Sequence, residues 1–182
     1  MDKRLDHISK KCTKIFIDAD GVLLASNDAM CTLLNEIYKK NHKGKEVTDW
    51  NYTNLYPTNS IEVEKLFESE EFFRVVKFTH GAKRFLTRYR DKIVIVTKGT
   101  ITNFIRKRYW FNKNGFRDIP IIAIPLDMSK NIINMHGGLF IDDCTVNLRE
   151  SNATYKFMFS EYNDNVKRDW CKDWRGNKIY KW

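Results

Sequence analysis

The chain lacks any long apolar run, any closely spaced cysteine pair and any Gly/Ser linker. A membrane helix needs ~20 consecutive apolar residues. The longest apolar run here, Ile119 to Leu126, is short and carries two prolines. Met1 to Lys14 is charged and has no apolar signal core, so the expected location is the cytoplasm. Cys12, Cys31, Cys144 and Cys171 are widely spaced, with no Cys-x-x-Cys pair. A zinc site or redox dithiol is therefore not indicated, and reduced thiols are the simplest state. There is no internal repeat and no low-complexity tract.

What is present is enough for one folded domain, or one domain with a modest insertion. The chain has 182 residues, 42% hydrophobic and 14% aromatic, which excludes a disordered polycation. Lys and Arg exceed Asp and Glu by 9. Such a balance suits either a nucleic-acid surface or a basic protein acting on a small anion. The densest basic cluster, Arg106, Lys107 and Arg108, falls on an expected helix and reads as a solvated face.

Four segments read as buried parallel strands: Lys14 to Ala19, Lys92 to Thr97, Pro120 to Ile124 and Gly138 to Asp142. They are rich in Ile and Val without strict alternation. Tyr155 to Phe159 is a fifth candidate. Helical spacing marks Asp28 to Lys40, Ile61 to Ser69, Gly81 to Tyr89 and Ile101 to Phe111. Strand alternating with helix predicts a Rossmann-like α/β doubly wound parallel sheet. Residues 25–77 interrupt that alternation and predict a small helical cap, leaving 1–24 and 78–182 as the core. An insertion after the carboxyl end of a strand sits over the ligand crevice of such a sheet.

Polar groups close the expected strands. The first ends in Asp18-Ala19-Asp20-Gly21, the second in Thr97-Lys98-Gly99, the fourth in Asp142-Asp143, and Lys130 lies between the last two. Each has an ordinary alternative. Asp-x-Asp-Gly is also turn chemistry, Thr97 also a helix cap, and Lys130 one lysine among many. Parallel strands put all these ends on one edge of the sheet, where active sites form.

In this order the set resembles the four motifs of the haloacid dehalogenase superfamily of phosphohydrolases, spanning Asp18 to Asp143. The resemblance implies Asp18 as nucleophile, forming an acyl phosphate, and Asp20 as acid and base. It implies magnesium held by the Asp18 side chain, the Asp20 carbonyl and the Asp142 side chain, with Asp143 supporting that shell. Thr97 would hold a phosphate oxygen with neighbouring amides, and Lys130 would neutralise the transferring group. Lys98 competes with Lys130 for that role.

Within the superfamily the chain is similar to the bacterial and phage 5'(3')-deoxyribonucleotidases. Asp49-Trp50, Glu68 to Phe73 with His80-Gly81-Ala82, Asn147-Leu148, Phe159 to Asn163 and a tail with Trp170 and Trp174 carry that likeness. It implies a small phosphomonoester substrate, a deoxynucleotide, with no membrane partner. Phe72 and Phe73, then Trp50 and Tyr52, are the candidates to stack a base, although cap aromatics also serve as a cap's own core. A nucleic-acid phosphate end is the alternative substrate, and a non-catalytic binding protein on this scaffold the alternative class.

Overall fold

The computed structural model describes residues 2–162, 168–180 and 182; Asn163, the last residue of the Phe159 to Asn163 likeness, lies outside them. Six strands form the sheet: β1 (Ile15–Ile17), β2 (Ile93–Lys98), β3 (Ile121–Ile124), β4 (Leu139–Asp142), β5 (Tyr155–Phe159) and β6 (Asn177–Ile179). Their order is β3-β2-β1-β4-β5-β6, and every pairing is parallel.

The apolar strands explain the double winding. Ile15, Ile17, Ile95, Leu139 and Ile141 enter one buried cluster. Phe16, Val94, Val96, Phe140 and Met158 enter a second. Successive side chains of a strand point to opposite faces. Both faces of β1, β2 and β4 are therefore buried, which is why their sequence shows no polar alternation.

Helices α1 (Lys3–Lys11), α5 (Ala82–Arg88) and α6 (Ile101–Lys113) bring Leu5, Ala82, Phe85, Leu86, Trp110 and Phe111 to the first cluster. Helix α7 (Thr145–Glu150) brings Leu148 to the second. Between β1 and α5 run α2 (Ser26–Tyr38), α3 (Ser60–Phe67) and α4 (Glu70–Val75). The chain leaves the sheet and returns through a narrow neck, where Ala25 N donates to Lys77 O at 2.9 Å and Thr79 N to Leu23 O at 2.9 Å.

Three elements escape the sequence reading. Helix α1 buries only Leu5 and Ser9, so its charged sequence shows little apolar stripe. The expected Ile61 to Ser69 helix is α3, and α4 follows it as a separate helix, because the Ser69 hydroxyl accepts from Phe72 N at 3.1 Å and caps it anew. Strand β6 is short and its first residue is exposed, so it carries no buried-strand signature.

Candidate active site

The register of the sheet assembles the site. Ile17 of β1 pairs with Ile141 of β4, so the next residues, Asp18 and Asp142, stand side by side. Asp18 N donates to Ile141 O at 2.9 Å, extending the ladder to the nucleophile candidate itself. Lys130 opens a short 3-10 turn between β3 and β4. Its Nζ lies 2.6 Å from Asp18 Oδ1 and 2.7 Å from Asp142 Oδ2, with the lysine 1% exposed. Lys98 lines the same cavity, but Lys130 is the lysine that meets Asp18.

The electrostatics follow from burial. Loss of water pushes Asp18 up to about 7; Lys130 opposes the shift, while Asp142 and Asp20 add to it. Burial, then Asp142 and Asp18, likewise raise Asp143 well above the usual carboxylate range. The Asp142 and Asp18 carboxylates outweigh burial at Lys130 and hold its ammonium charged. Asp142 is tied further by Cys144 N at 2.8 Å and by Asn147 Nδ2 at 3.1 Å and 3.2 Å. Asp143 Oδ2 accepts from the Trp170 indole at 2.8 Å. Gly21, at φ +70°, permits the turn after the first aspartates; a Cβ there would fall 2.5 Å from Asp143 Oδ2.

A second ion pair corrects the sequence reading. Lys107 is no part of a solvated face: it is 1% exposed and donates to Asp20 Oδ2 and, at 2.7 Å, to Thr97 Oγ1. Asp20 Oδ1 accepts from Ser26 Oγ at 2.8 Å. Thr97 is buried and stands behind the cavity wall, whereas Lys98, Gly99 and Thr100 line it. The signal for Lys107 was present. Asn103, Lys107, Trp110 and Phe111 share helical spacing and are all buried, so a lysine sits in a core stripe.

A cavity of about 340 Å³ opens beside Asp18, Asp20, Lys130 and Asp143. Its outer wall carries Trp50, Phe67 and Trp170, with Ser60 and Glu64 of α3 and Glu68 just beyond it. Trp50 and Phe67 are stacked at 6.1 Å and 9° between planes, and Trp50 meets Trp170 edge-on at 5.7 Å. Of the four aromatics expected to face a base, only Trp50 lines this cavity. Phe72 is fully buried in the core, and Phe73 packs half-buried against that core. Tyr52 is buried with its hydroxyl on Asn27 Oδ1 at 3.0 Å. Two adjacent residues on one helix cannot both face the same way, and Phe72 takes the inward position. Phe67 closes α3, and its direction comes from the packing of that helix.

One oxygen from each of Asp18, Asp142 and Asp143 lies within 4.8 Å of the others. Four carboxylates, counting Asp20, face the two ammonium groups of Lys107 and Lys130. Hard oxygen donors alone, three of them buried and crowded together, fit a divalent cation of the magnesium type.

The parallel sheet is a fold shared with solved haloacid dehalogenase-like proteins. A haloacid dehalogenase-like hydrolase from Streptococcus pneumoniae is 11% identical, with 83% of this chain and 86% of that one covered at a TM-score of 0.54. A predicted phosphatase from Clostridium acetobutylicum is 13% identical, covering 81% and 84% at 0.53. A predicted phosphoglycolate phosphatase from Haemophilus somnus is 10% identical, covering 84% and 88% at 0.52. At these identities the likeness is one of fold. No curated protein matches the chain. Residues 11–179 match the family described as "5' nucleotidase, deoxy (Pyrimidine), cytosolic type C protein", and the chain belongs to that family. It is accordingly a phosphoric monoester hydrolase. Among the described residues no helix is long and apolar enough to cross a membrane.

Proposed function

We propose that the protein hydrolyses deoxyribonucleoside monophosphates to nucleoside and phosphate, with magnesium as cofactor and an aspartyl phosphate on Asp18. The carrying observation is Lys130, whose buried ammonium joins Asp18 to Asp142 at the floor of an aromatic-walled cavity. Family membership supports the nucleotide as substrate class.

A carboxylate oxygen of Asp18 attacks phosphorus, and the ester P–O bond breaks with its electron pair on the leaving oxygen. Asp20 gives that oxygen a proton, then takes one from the water that attacks the aspartyl phosphate. The second step frees phosphate and restores the Asp18 carboxylate. Oδ1 of Asp20 is the atom suited to carry the proton, because its partner Ser26 has a rotatable hydroxyl while Lys107 holds Oδ2. Lys130 offsets charge on the group in transfer. Bound magnesium would supply charge neutralisation and polarisation of the phosphate, held by the Asp18 and Asp142 side chains and the Asp20 carbonyl, with Asp143 beside them.

Residues 25–77 act as the cap, and Trp50 and Phe67 offer the base a flat apolar wall. The cap bears on α6 through Asn103 Nδ2, which donates to Phe67 O at 2.7 Å, and through Thr100, which donates to Glu68. A cavity roofed in this way suits a small substrate rather than a polymer end.

Phosphate release from deoxyribonucleotides, ribonucleotides, sugar phosphates and 5'- or 3'-phosphorylated oligonucleotides, each with magnesium, tests the proposal. Deoxyribonucleotides should lead. Faster release from sugar phosphates or oligonucleotide ends would assign the site another substrate.

A further inference from the structure

The segment from Arg168 to Cys171 belongs to no part of the chemistry above, yet it touches both sides of the cavity. On the core side, the Trp170 indole donates to Asp143 Oδ2 at 2.8 Å, and Cys171 Sγ donates to the Asp143 carbonyl at 3.1 Å. On the inserted side, Asp169 N donates to Thr48 O at 3.0 Å, and Arg168 donates to Gly44 O at 3.1 Å. Arg168 is 5% exposed, and its guanidinium lies 5.2 Å from the centre of the Trp170 ring. Trp170 in turn meets Trp50 edge-on. Two consecutive residues thus grip the insertion, and the next two grip Asp143.

We propose that this segment is a clasp, and that Trp170 is a positioning residue for Asp143. The proposal rests on the phosphohydrolase reading of the acidic edge. Asp143 has two oxygens, and the one bonded to Trp170 also borders Gly21 at the Asp-x-Asp turn. A buried carboxylate can rotate about its last bond unless a donor fixes it. The indole N–H is that donor, and its ring is itself wedged by Arg168 and Trp50. Orientation of Asp143 and seating of the insertion therefore share one side chain. Removal of a supporting hydrogen bond next to a metal-type site typically costs 10–100-fold in activity or affinity, roughly the range to be expected here.

Two variants separate the functions. Trp170→Phe keeps a ring against Trp50 and Arg168 but removes the N–H. Trp170→Ala removes both. Trp174→Phe is the control, since among the described residues its indole bonds only Asn177 O, at 3.0 Å, and Trp174 does not line the cavity. Deoxyribonucleotide turnover should fall about tenfold in kcat in Trp170→Phe, with KM within about twofold of the parent. Amide hydrogen exchange of residues 44–55 should match the parent in that variant and rise at least tenfold in Trp170→Ala. A parent-like kcat in Trp170→Phe overturns the positioning role. Unchanged exchange in a folded Trp170→Ala overturns the clasp. Should the parent protein release no phosphate from any ester, the proposed function falls, while the exchange comparison still decides the clasp.

Discussion

Buried Lys107 and part-buried Asp20 form an ion pair that joins α6 to the loop after β1. The lysine is the middle member of an otherwise surface-facing basic triplet, and it reaches the carboxylate directly across the end of β2 while also donating to the Thr97 hydroxyl. This pair fixes one oxygen of the residue proposed to move the proton.

Lys107→Met should therefore damage both stability and turnover. Leaving one member of a buried pair uncompensated costs about 3–5 kcal/mol, and less here because Asp20 opens to the cavity. A lowered urea midpoint with kcat reduced at least tenfold is the expected outcome. Parent-like kcat in Lys107→Met would show that Asp20 does its work without the pair.

Asp18→Asn should abolish phosphate release while the protein stays folded. The substitution keeps the shape of the side chain and removes the nucleophilic charge. Circular dichroism and turnover on the same sample check both halves. Retained turnover would rule out an aspartyl phosphate at this position.

Chelation of divalent cations should stop turnover, and added magnesium should restore it. In chelated protein, magnesium should also raise the melting temperature, because a ligand that binds only the native state stabilises it by mass action. Asp142→Asn should lose most of that thermal response. A melting temperature indifferent to magnesium in the parent would remove the cation from the acidic edge.

Trp50 and Phe72 should respond oppositely to truncation. Trp50→Ala should raise KM for a deoxyribonucleotide several-fold and leave KM for a small alkyl phosphate nearly unchanged. Phe72→Ala should cost about 3–5 kcal/mol of stability through a core cavity, with KM little altered. Steady-state kinetics and denaturant melts on the pair test the cavity assignment directly.

Glu161, which does not line the cavity, gives a pH test. Burial raises it to about 7, Asp28 adds to the shift, and Arg168 opposes it. One of its oxygens is buried without a hydrogen bond. Its folded pKa exceeds the ordinary 4.5, so the native state holds a proton that the unfolded state releases. Stability from this group is present below about pH 4.5 and is lost as pH rises toward 7, by about 3 kcal/mol in all. Glu161→Gln should flatten that decline when urea midpoints are compared at pH 5 and pH 7. An unchanged slope would deny Glu161 the role.

The strands around β1 were legible because each is a short Ile/Val run buried on both faces, and their polar ends followed from the shared direction of parallel strands. Asp18 and Asp142 converge for that reason, while Lys130 reaches them from a 3-10 turn between β3 and β4. Lys107 was hidden because a basic triplet suggests solvent, and only the helical phase of Asn103 and Trp110 reveals which member points inward. Phe72 and Tyr52 were misplaced because an aromatic in a small insertion serves core and cavity alike; orientation is a property of packing. The Trp170 bond to Asp143 is long-range, and no local pattern announces it. Strand β6 carries too little buried apolar surface to be read from composition.

The clasp also sets an order of assembly. Every strand-end residue of the acidic edge is translated before Trp170, and chains emerge from the amino terminus onward. A nascent chain thus carries its first five strands and all its site aspartates before the indole that orients Asp143 is made. Full competence arrives late in synthesis, when the last side chain of the site closes over work already done.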